Sequence, residues 1–350
     1  MEKSTFQKIL LTWYKGNKRP LPWRLTKDPY RIWLSEIILQ QTRISQGLPY
    51  YLKFIKAYEN IHALAEASEA EVLRHWQGLG YYSRARNMLK CAKLIVDRYE
   101  GQFPDKEQDL LKLPGIGKYT TAAIASISFE RPVPVIDGNV YRVLSRIFGI
   151  MEDIQTSEAQ KKFQKLAEEL IPDKKPGDYN QAIMEFGALF CKPRNPACKQ
   201  CLFSAHCFAN ISGKQNELPS ISPKIKPRER YFHYWVIRYE DLLFMKKRNN
   251  KDIWQGLYDF PLIETQNQGF DFSRDKMTNY LVKNYPLKNT RTFRHILTHQ
   301  VICATFYHCP VDSLDEEMLN LLPEEGGFRT PEETERLPKP GLIDKYLKEE

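Results

Sequence analysis

Four thiols stand unusually close together. Cys191, Cys198, Cys201 and Cys207 follow the spacing C-x6-C-x2-C-x5-C within "CKPRNPACKQCLFSAHC". Thiolates at this density point to a metal centre. Zinc and a [4Fe–4S] cluster both take four cysteines, but zinc sites favour two short C-x2-C knuckles, and only one pair here has that spacing. A cluster held by four protein ligands has no open iron position for substrate, so its expected role is structural. Cys91, Cys303 and Cys309 fall outside the group and read as core thiols. The odd, clustered count argues against a secreted disulfide framework.

A second candidate is "LPGIGKYTTAAIA", Leu113 to Ala125. A glycine-rich turn feeding a helix N-terminus binds anions, because its amides and the helix dipole point the same way. A dinucleotide fingerprint would need a third glycine where Thr120 stands. A P-loop would need glycine at Lys112 and Ser or Thr at Tyr119. Both nucleotide readings fail. What remains is an ordinary helical turn, or a helix–hairpin–helix in which Gly115, Gly117 and Lys118 grip a nucleic-acid phosphate without reading sequence.

Two carboxylates complete the set. Glu36, Gln40 and Arg43 fall at i, i+4 and i+7, a polar stripe opposite Ile37 and Ile38 that by itself reads as a solvated helix face. Asp137 precedes Gly138 and a helical run, the position of a routine N-cap.

Helices must position these groups. From Asp28 to about Phe208 the apolar residues recur every three or four positions. Asp28-Pro29 is a start signal, and the helix "YRIWLSEIILQQTRISQ" is expected to bury Trp33, Leu34, Ile37, Ile38 and Ile44. "IHALAEASEAEVLRHW", "YSRARNMLKCAKLIVDRY", "EAQKKFQKLAEEL" and "DYNQAIMEFGALF" read as further helices. "GKQNELPSISPKIKPRER" has three prolines and many charges and reads as an extended linker. Beyond it, "YFHYWVIRYEDLLFMKKR", turning at Glu240-Asp241, and "RTFRHILTHQVICATFYHC" read as strands. "FSRDKMTNYLVKNY" and "PGLIDKYLKEE" read as helices, which makes the second domain α+β.

The totals agree with a two-domain globular protein. The chain has 350 residues, 42% of them hydrophobic, and a formal net charge of +9 that favours a polyanionic partner. No apolar run approaches the roughly 18 residues that span a bilayer, and the short amphipathic N-terminal segment, without a small-residue cleavage site, is expected to form the first helix. An intracellular, cytoplasmic protein is expected.

Hairpin, Asp137 and four-cysteine motif, in that order, resemble the endonuclease III superfamily of base-excision DNA glycosylases. Within it, "LPWR", "DPYRIWLSEIILQQT", "GLGYYSRARN", "LPGIGKYTTAAI", "VIDGNVYRVLSR" and "NQAIMEFGALFC" resemble the MutY family of adenine DNA glycosylases. The later "DIWQGLYDFP" is similar to that family's Nudix-like C-terminal module. No Nudix catalytic box follows, so recognition rather than pyrophosphate hydrolysis is expected of it. The resemblance implies an all-α helix–hairpin–helix domain over 1–212, with the hairpin near 107–127 and an iron–sulfur loop at 191–207. A linker over 213–229 and an α+β Nudix-like domain over 230–350 follow.

The resemblance also implies roles. Glu36 protonates adenine, and Asp137 stabilises or traps the sugar cation. Cleavage of an N-glycosidic bond asks for such a pair, a neutral acid at the base and an ionised carboxylate facing C1′. Apolar surroundings are expected to raise the Glu36 carboxyl, and the helix dipole to keep Asp137 ionised. Tyr119 stands where lyases of the superfamily carry a lysine, and tyrosine cannot form a Schiff base. Trp23, Arg24, Leu39 and Gln181 would line the adenine pocket, and Asn139 and Tyr119 would position Asp137 and water. Gln41 and Tyr81 would wedge into the duplex at the mispaired guanine, with the target base flipped out. "HILTHQ" aligns with a lesion-reading Phe-Ser-His loop, so Thr298 and His299 keep its polar groups while Leu297 replaces the stacking ring. Four cysteines would hold a [4Fe–4S] cluster, with Lys192, Arg194 and Lys199 against a phosphate. The implied substrate is duplex DNA with adenine opposite 8-oxoguanine or guanine, and the expected state is a monomer. An endonuclease III-like pyrimidine glycosylase with lyase activity and a non-catalytic lesion sensor are the rival readings.

Overall fold

The computed structural model describes residues 1–223 and 226–349. Lys224 and Ile225 of the expected linker, and Glu350 at the end of the expected last helix, lie outside the described residues. The chain divides into two units, Met1–Ala65 with Lys90–Pro223, and Glu66–Leu89 with Lys224–Glu350. No helix among the described residues is long and apolar enough to cross a membrane.

In the first unit the N-terminal segment forms α1 (Lys3–Asn17), burying Phe6, Leu10 and Trp13. Asp28 opens α2 (Pro29–Leu39) as expected, its carboxylate accepting from Tyr30 N at 3.0 Å. That helix does not run on to residue 46. It stops at Leu39, Thr42 N bonds back to Leu39 O at 3.1 Å, Gln41 has a φ of 53°, and α3 (Ile44–Ala57) begins afresh. Gln40 and Arg43 therefore share no helix face with Glu36, and Ile44 is only half-buried. Apolar periodicity continues across the turn, and the left-handed residue is a glutamine rather than the glycine that would mark it.

"IHALAEASEAEVLRHW" also breaks, into α4 (Ile61–Glu66) and α5 (Glu69–Trp76), because Ser68 and Glu71 form a reciprocal capping box. After α6 (Ser83–Tyr99) come α7 (Glu107–Leu110) and α8 (Lys118–Phe129), joined by a tight turn with Gly115 at φ 76°. These are the two arms of the expected hairpin. Then follow α9 (Gly138–Phe148), α10 (Ser157–Leu170), α11 (Pro176–Leu189) and α12 (Phe208–Ser212). Residues of α1, α9, α10 and α11 form one apolar cluster that includes Phe6, Val143, Phe163 and Phe186. Gly177 lets α11 lie directly on α8: a Cβ there would stand 2.7 Å from Ser126 O.

In the second unit β1 (Arg228–Tyr239) turns at Glu240 into β2 (Leu242–Lys247), followed by β3 (Tyr258–Asp259), β4 (Leu262–Thr265) and α13 (Lys276–Asn284). Next come β5 (Lys288–Ile296), β6 (Gln300–Val311), α14 (Glu316–Leu321), β7 (Gly326–Arg329), α15 (Pro331–Arg336) and α16 (Gly341–Glu349). The mixed sheet has the order β3-β2-β1-β6-β5, with β4 on β1 and β7 on β2. β1 and β6 run parallel through the centre, and Trp235, Ile237, Phe244, Leu281 and Cys309 belong to the core beside them. Glu66–Leu89, read from sequence as part of the helical domain, groups with this sheet. Gln77 Nε2 donates to Asp344 Oδ1 (3.0 Å) and Arg86 Nη1 to Gln255 O (2.6 Å).

Candidate active site

Glu36 lies on α2 and is only 7% exposed, so the solvated-face reading is overturned. Burial pushes its carboxyl up to about 7, with Asp137 adding to the rise and Tyr119 and Arg24 opposing it. The Tyr119 hydroxyl hydrogen-bonds Glu36, and it also stands 3.6 Å from Met184 Sδ. Burial beside the two carboxyls raises Tyr119 well above an ordinary phenol. Acid, carboxylate and tyrosine, assigned from three distant motifs, thus meet.

Asp137 caps α9. Its Oδ1 accepts from Asn139 N and Val140 N, both at 2.8 Å, while Oδ2 accepts from Asn139 Nδ2 at 2.7 Å. Capping therefore occupies one oxygen and leaves the other to a single side-chain donor. The helix N-terminus, expected to keep this group ionised, acts against its burial. Burial raises the Asp137 carboxyl, opposed by those amides and by Arg142. Asn139 is itself fixed: Arg142 Nη2 donates to Asn139 Oδ1 (2.8 Å) and Gly187 O (2.7 Å), and Arg142 Nε to Cys191 O (2.7 Å). Asn180 on α11 holds the approach to Asp137, accepting from Val135 N (3.1 Å) and donating to Val133 O (2.8 Å).

The expected base pocket is built on α11 and the Pro22–Arg24 turn. Trp23 is buried with its ring edge-on to Tyr51, and Gln181 accepts from the Tyr14 hydroxyl at 3.0 Å. Arg24 gives both Nη groups to Glu185 at 2.7 Å, and Arg19 binds the same carboxylate. Leu39 is half-buried at the end of α2, and Gln41 is exposed. Gly115, Gly117 and Lys118 are exposed on the hairpin, and α8 has no side-chain cap. Lys118 and Tyr119 line a groove that continues past Ile136 and Tyr141 to Lys161 and Lys165 of α10.

Glu185, Asn180, Arg142 and Arg146 are neighbours of the candidate residues that sequence reasoning left out. Glu185 and Asn180 sit inside "NQAIMEFGALFC" beside Gln181. Arg142 and Arg146 interleave, four apart, with the buried Val143 and Ile147 of α9. A cation repeated on an apolar helix face was the available signal.

The four clustered cysteines line one small cavity between α9, α11 and the loop, and none is in a disulfide. Arg146 Nη1 stands 3.4 Å from Cys191 Sγ and 2.7 Å from Lys192 O, so α9 clasps the start of the loop. Burial pushes the Cys201 thiol up to about 11 and raises Cys198 and Cys207 too. Among the described residues, no group of three or more His, Cys, Asp or Glu side chains could hold one metal ion. Four thiols around one cavity are a donor set that either zinc or an iron–sulfur cluster takes. Cys91 and Cys309 are buried core thiols, and Cys303 is half-buried in β6.

In the second unit the Tyr81 hydroxyl donates to Thr298, and both border a cleft with Trp254, His295 and His299. Thr298 and His299 are exposed at the β5–β6 turn, and Tyr81 has a φ of 48°.

Residues 34–169 match the family described as HhH-GPD superfamily base excision DNA repair protein, and residues 233–349 match the NUDIX domain. An adenine DNA glycosylase of Buchnera aphidicola (subsp. Acyrthosiphon pisum, strain APS) is 34% identical over 300 residues, covering 85% of this chain and 86% of its own. A solved structure of a thermostable thymine-DNA glycosylase is 30% identical with a TM-score of 0.55, covering 60% of this chain and 97% of its own. An endonuclease III in a non-covalent DNA complex shares the fold at 21% identity and a TM-score of 0.52, covering 61% of this chain and 98% of its own. Identical to that adenine DNA glycosylase at a third of positions over most of both chains, and matching the repair family in its helical unit, the chain belongs to the adenine DNA glycosylases of base-excision repair.

Proposed function

We propose that this protein is a monofunctional glycosylase that excises adenine paired with 8-oxoguanine or guanine in duplex DNA. The observation that carries the reading is Glu36, a buried carboxyl held near pH 7 between Tyr119 and Asp137. A carboxylic acid still protonated near neutrality can give its proton to a purine nitrogen as the C–N bond breaks. Asp137 faces the developing positive charge at C1′ and either stabilises it or closes on it covalently. Asn139 orients Asp137, and Tyr119 orders the attacking water. With a phenol in place of an amine, no Schiff base forms and the product is an abasic site on an intact strand.

The hairpin amides at Gly115 and Gly117, with Lys118, hold the backbone. Trp23, Arg24, Leu39 and Gln181 enclose the extruded adenine, and Gln41 supports the opened duplex. Tyr81, Thr298 and His299 read the opposing guanine or 8-oxoguanine, and the enzyme works as a cytoplasmic monomer. Cys191, Cys198, Cys201 and Cys207 would hold a [4Fe–4S] cluster, which supplies a rigid anchor for the loop and takes no part in the chemistry.

Single-turnover excision from duplexes that vary the base opposite adenine tests this reading. Glu36→Gln and Asp137→Asn are each expected to lose at least a hundredfold in rate. Near wild-type rates in either variant, or strand nicking without added alkali, contradict the assigned roles. Metal analysis of anaerobically purified protein is expected to give four irons per chain with a brown colour, whereas stoichiometric zinc in a colourless sample removes the cluster.

A further inference from the structure

Glu185 is a buried carboxylate that the proposed chemistry does not use. It is 1% exposed on α11, yet it receives a set of charge-assisted donors. Arg24 Nη1 and Nη2 each stand at 2.7 Å, Arg19 N at 2.9 Å and Arg19 Nε at 2.8 Å. The fork of Arg24 is thereby fully engaged end-on, and its Nη1 also reaches Arg19 O at 3.1 Å. Arg24 is nearly buried as well, its side chain 9% exposed, and its positive charge opposes the rise of the Glu36 carboxyl. The charged or titratable groups that act on Glu36 are Arg24 from the Pro22–Arg24 turn, Tyr119 from α8 and Asp137 from the start of α9.

A cation beside a general acid is a liability. It favours the ionised carboxylate and so draws off the proton the acid must deliver. We propose that Glu185 is a positioning residue for base protonation, which keeps Glu36 protonated by binding and neutralising the Arg24 guanidinium. Its own ionisation is secure: burial would raise it, but Arg24 and Arg19 bring Glu185 down to about 2, so it stays an anion wherever the enzyme works. The proposal rests on the reading of Glu36 as the proton donor to adenine.

The test is the pH profile of single-turnover excision on a duplex with adenine opposite 8-oxoguanine. In the wild type the rate falls as pH rises through about 7, where Glu36 loses its proton. Glu185→Gln leaves Arg24 charged and unpaired and is expected to move this limb down by about one pH unit. The rate then drops roughly tenfold at pH 8 but less than twofold at pH 5.5. Arg24→Gln combined with Glu185→Gln removes both charges and brings the limb back toward the wild-type position. Arg19→Gln, which leaves the Arg24–Glu185 pair intact, keeps the limb in place. A loss in Glu185→Gln that is uniform across pH, or a double variant whose limb stays displaced, overturns the proposal while leaving Glu36 as the acid. If the wild type has no limb near 7, the reading of Glu36 fails instead. Should Glu185→Gln not fold by circular dichroism, Glu185→Asp keeps the charge with a shorter reach, and its limb must move down by a smaller amount. An unmoved limb in that variant also overturns the proposal.

Discussion

Glu36 is held in a state that suits the proposed proton donation at the expense of folding. Its ordinary carboxyl value is 4.5, and burial raises it to about 7. Its contribution to stability is therefore at its full value below pH 4.5, where folded and unfolded chains both carry the proton. Between pH 4.5 and 7 the unfolded carboxyl ionises while the buried one does not, and about 3 kcal/mol of stability is lost by the end of that window. Glutamine cannot ionise, so Glu36→Gln is expected to melt several degrees above the wild type at pH 8, an advantage that disappears at pH 4.5. Thermal melts at the two pH values decide it, and a gap independent of pH would show that desolvation is not what raises the carboxyl. In sequence this residue was legible only through the surrounding "DPYRIWLSEIILQQT". Its burial depends on α8 lying against α2, which the local polar stripe does not encode.

At the scale of elements, α9 and α11 form a frame between the chemistry and the cysteine loop. α9 begins at Asp137, carries Arg142 and Arg146 along its length, and through them binds Cys191 O, Lys192 O and Pro193 O. α11 closes the other side and comes close at Gly187: a Cβ there would lie 2.6 Å from Asn139 Cβ. Gly187→Ala must push Asn139 or α11 aside, with an expected stability cost of about 1–3 kcal/mol. It is also expected to slow excision at least tenfold, because Asn139 Nδ2 loses its place on Asp137 Oδ2. Gly16→Ala is the control, since its added methyl meets nothing within 4 Å. Equal excision rates for the two variants would show that Asn139 does not orient the aspartate. Helix identity was largely readable here from apolar spacing, and Asp28, Asp137 and Ser68 act as caps. The breaks were harder to see. Gln41 takes a left-handed turn without glycine, and a continuous apolar period hides such an interruption.

Across the whole molecule, the sequence revealed two kinds of architecture through a change of period. Three- and four-residue spacing gives way to aromatic and β-branched runs, which become β1, β2, β5 and β6. The site residues with local signatures were legible: the glycine hairpin, the cysteine spacing and the cap at Asp137. Those defined by partners far along the chain were not. Arg24 and Glu185 are 161 residues apart, and no pattern within either segment announces their pairing. The same distance effect governs Glu66–Leu89, whose Gln77 finds its partner Asp344 after 267 residues. During synthesis this helix pair leaves the ribosome early but cannot complete its hydrogen bonds until nearly the whole chain has followed. A nascent chain halted anywhere before α16 therefore presents Gln77, just past α5, without its Asp344 partner, and such unfinished surface is what chaperones bind.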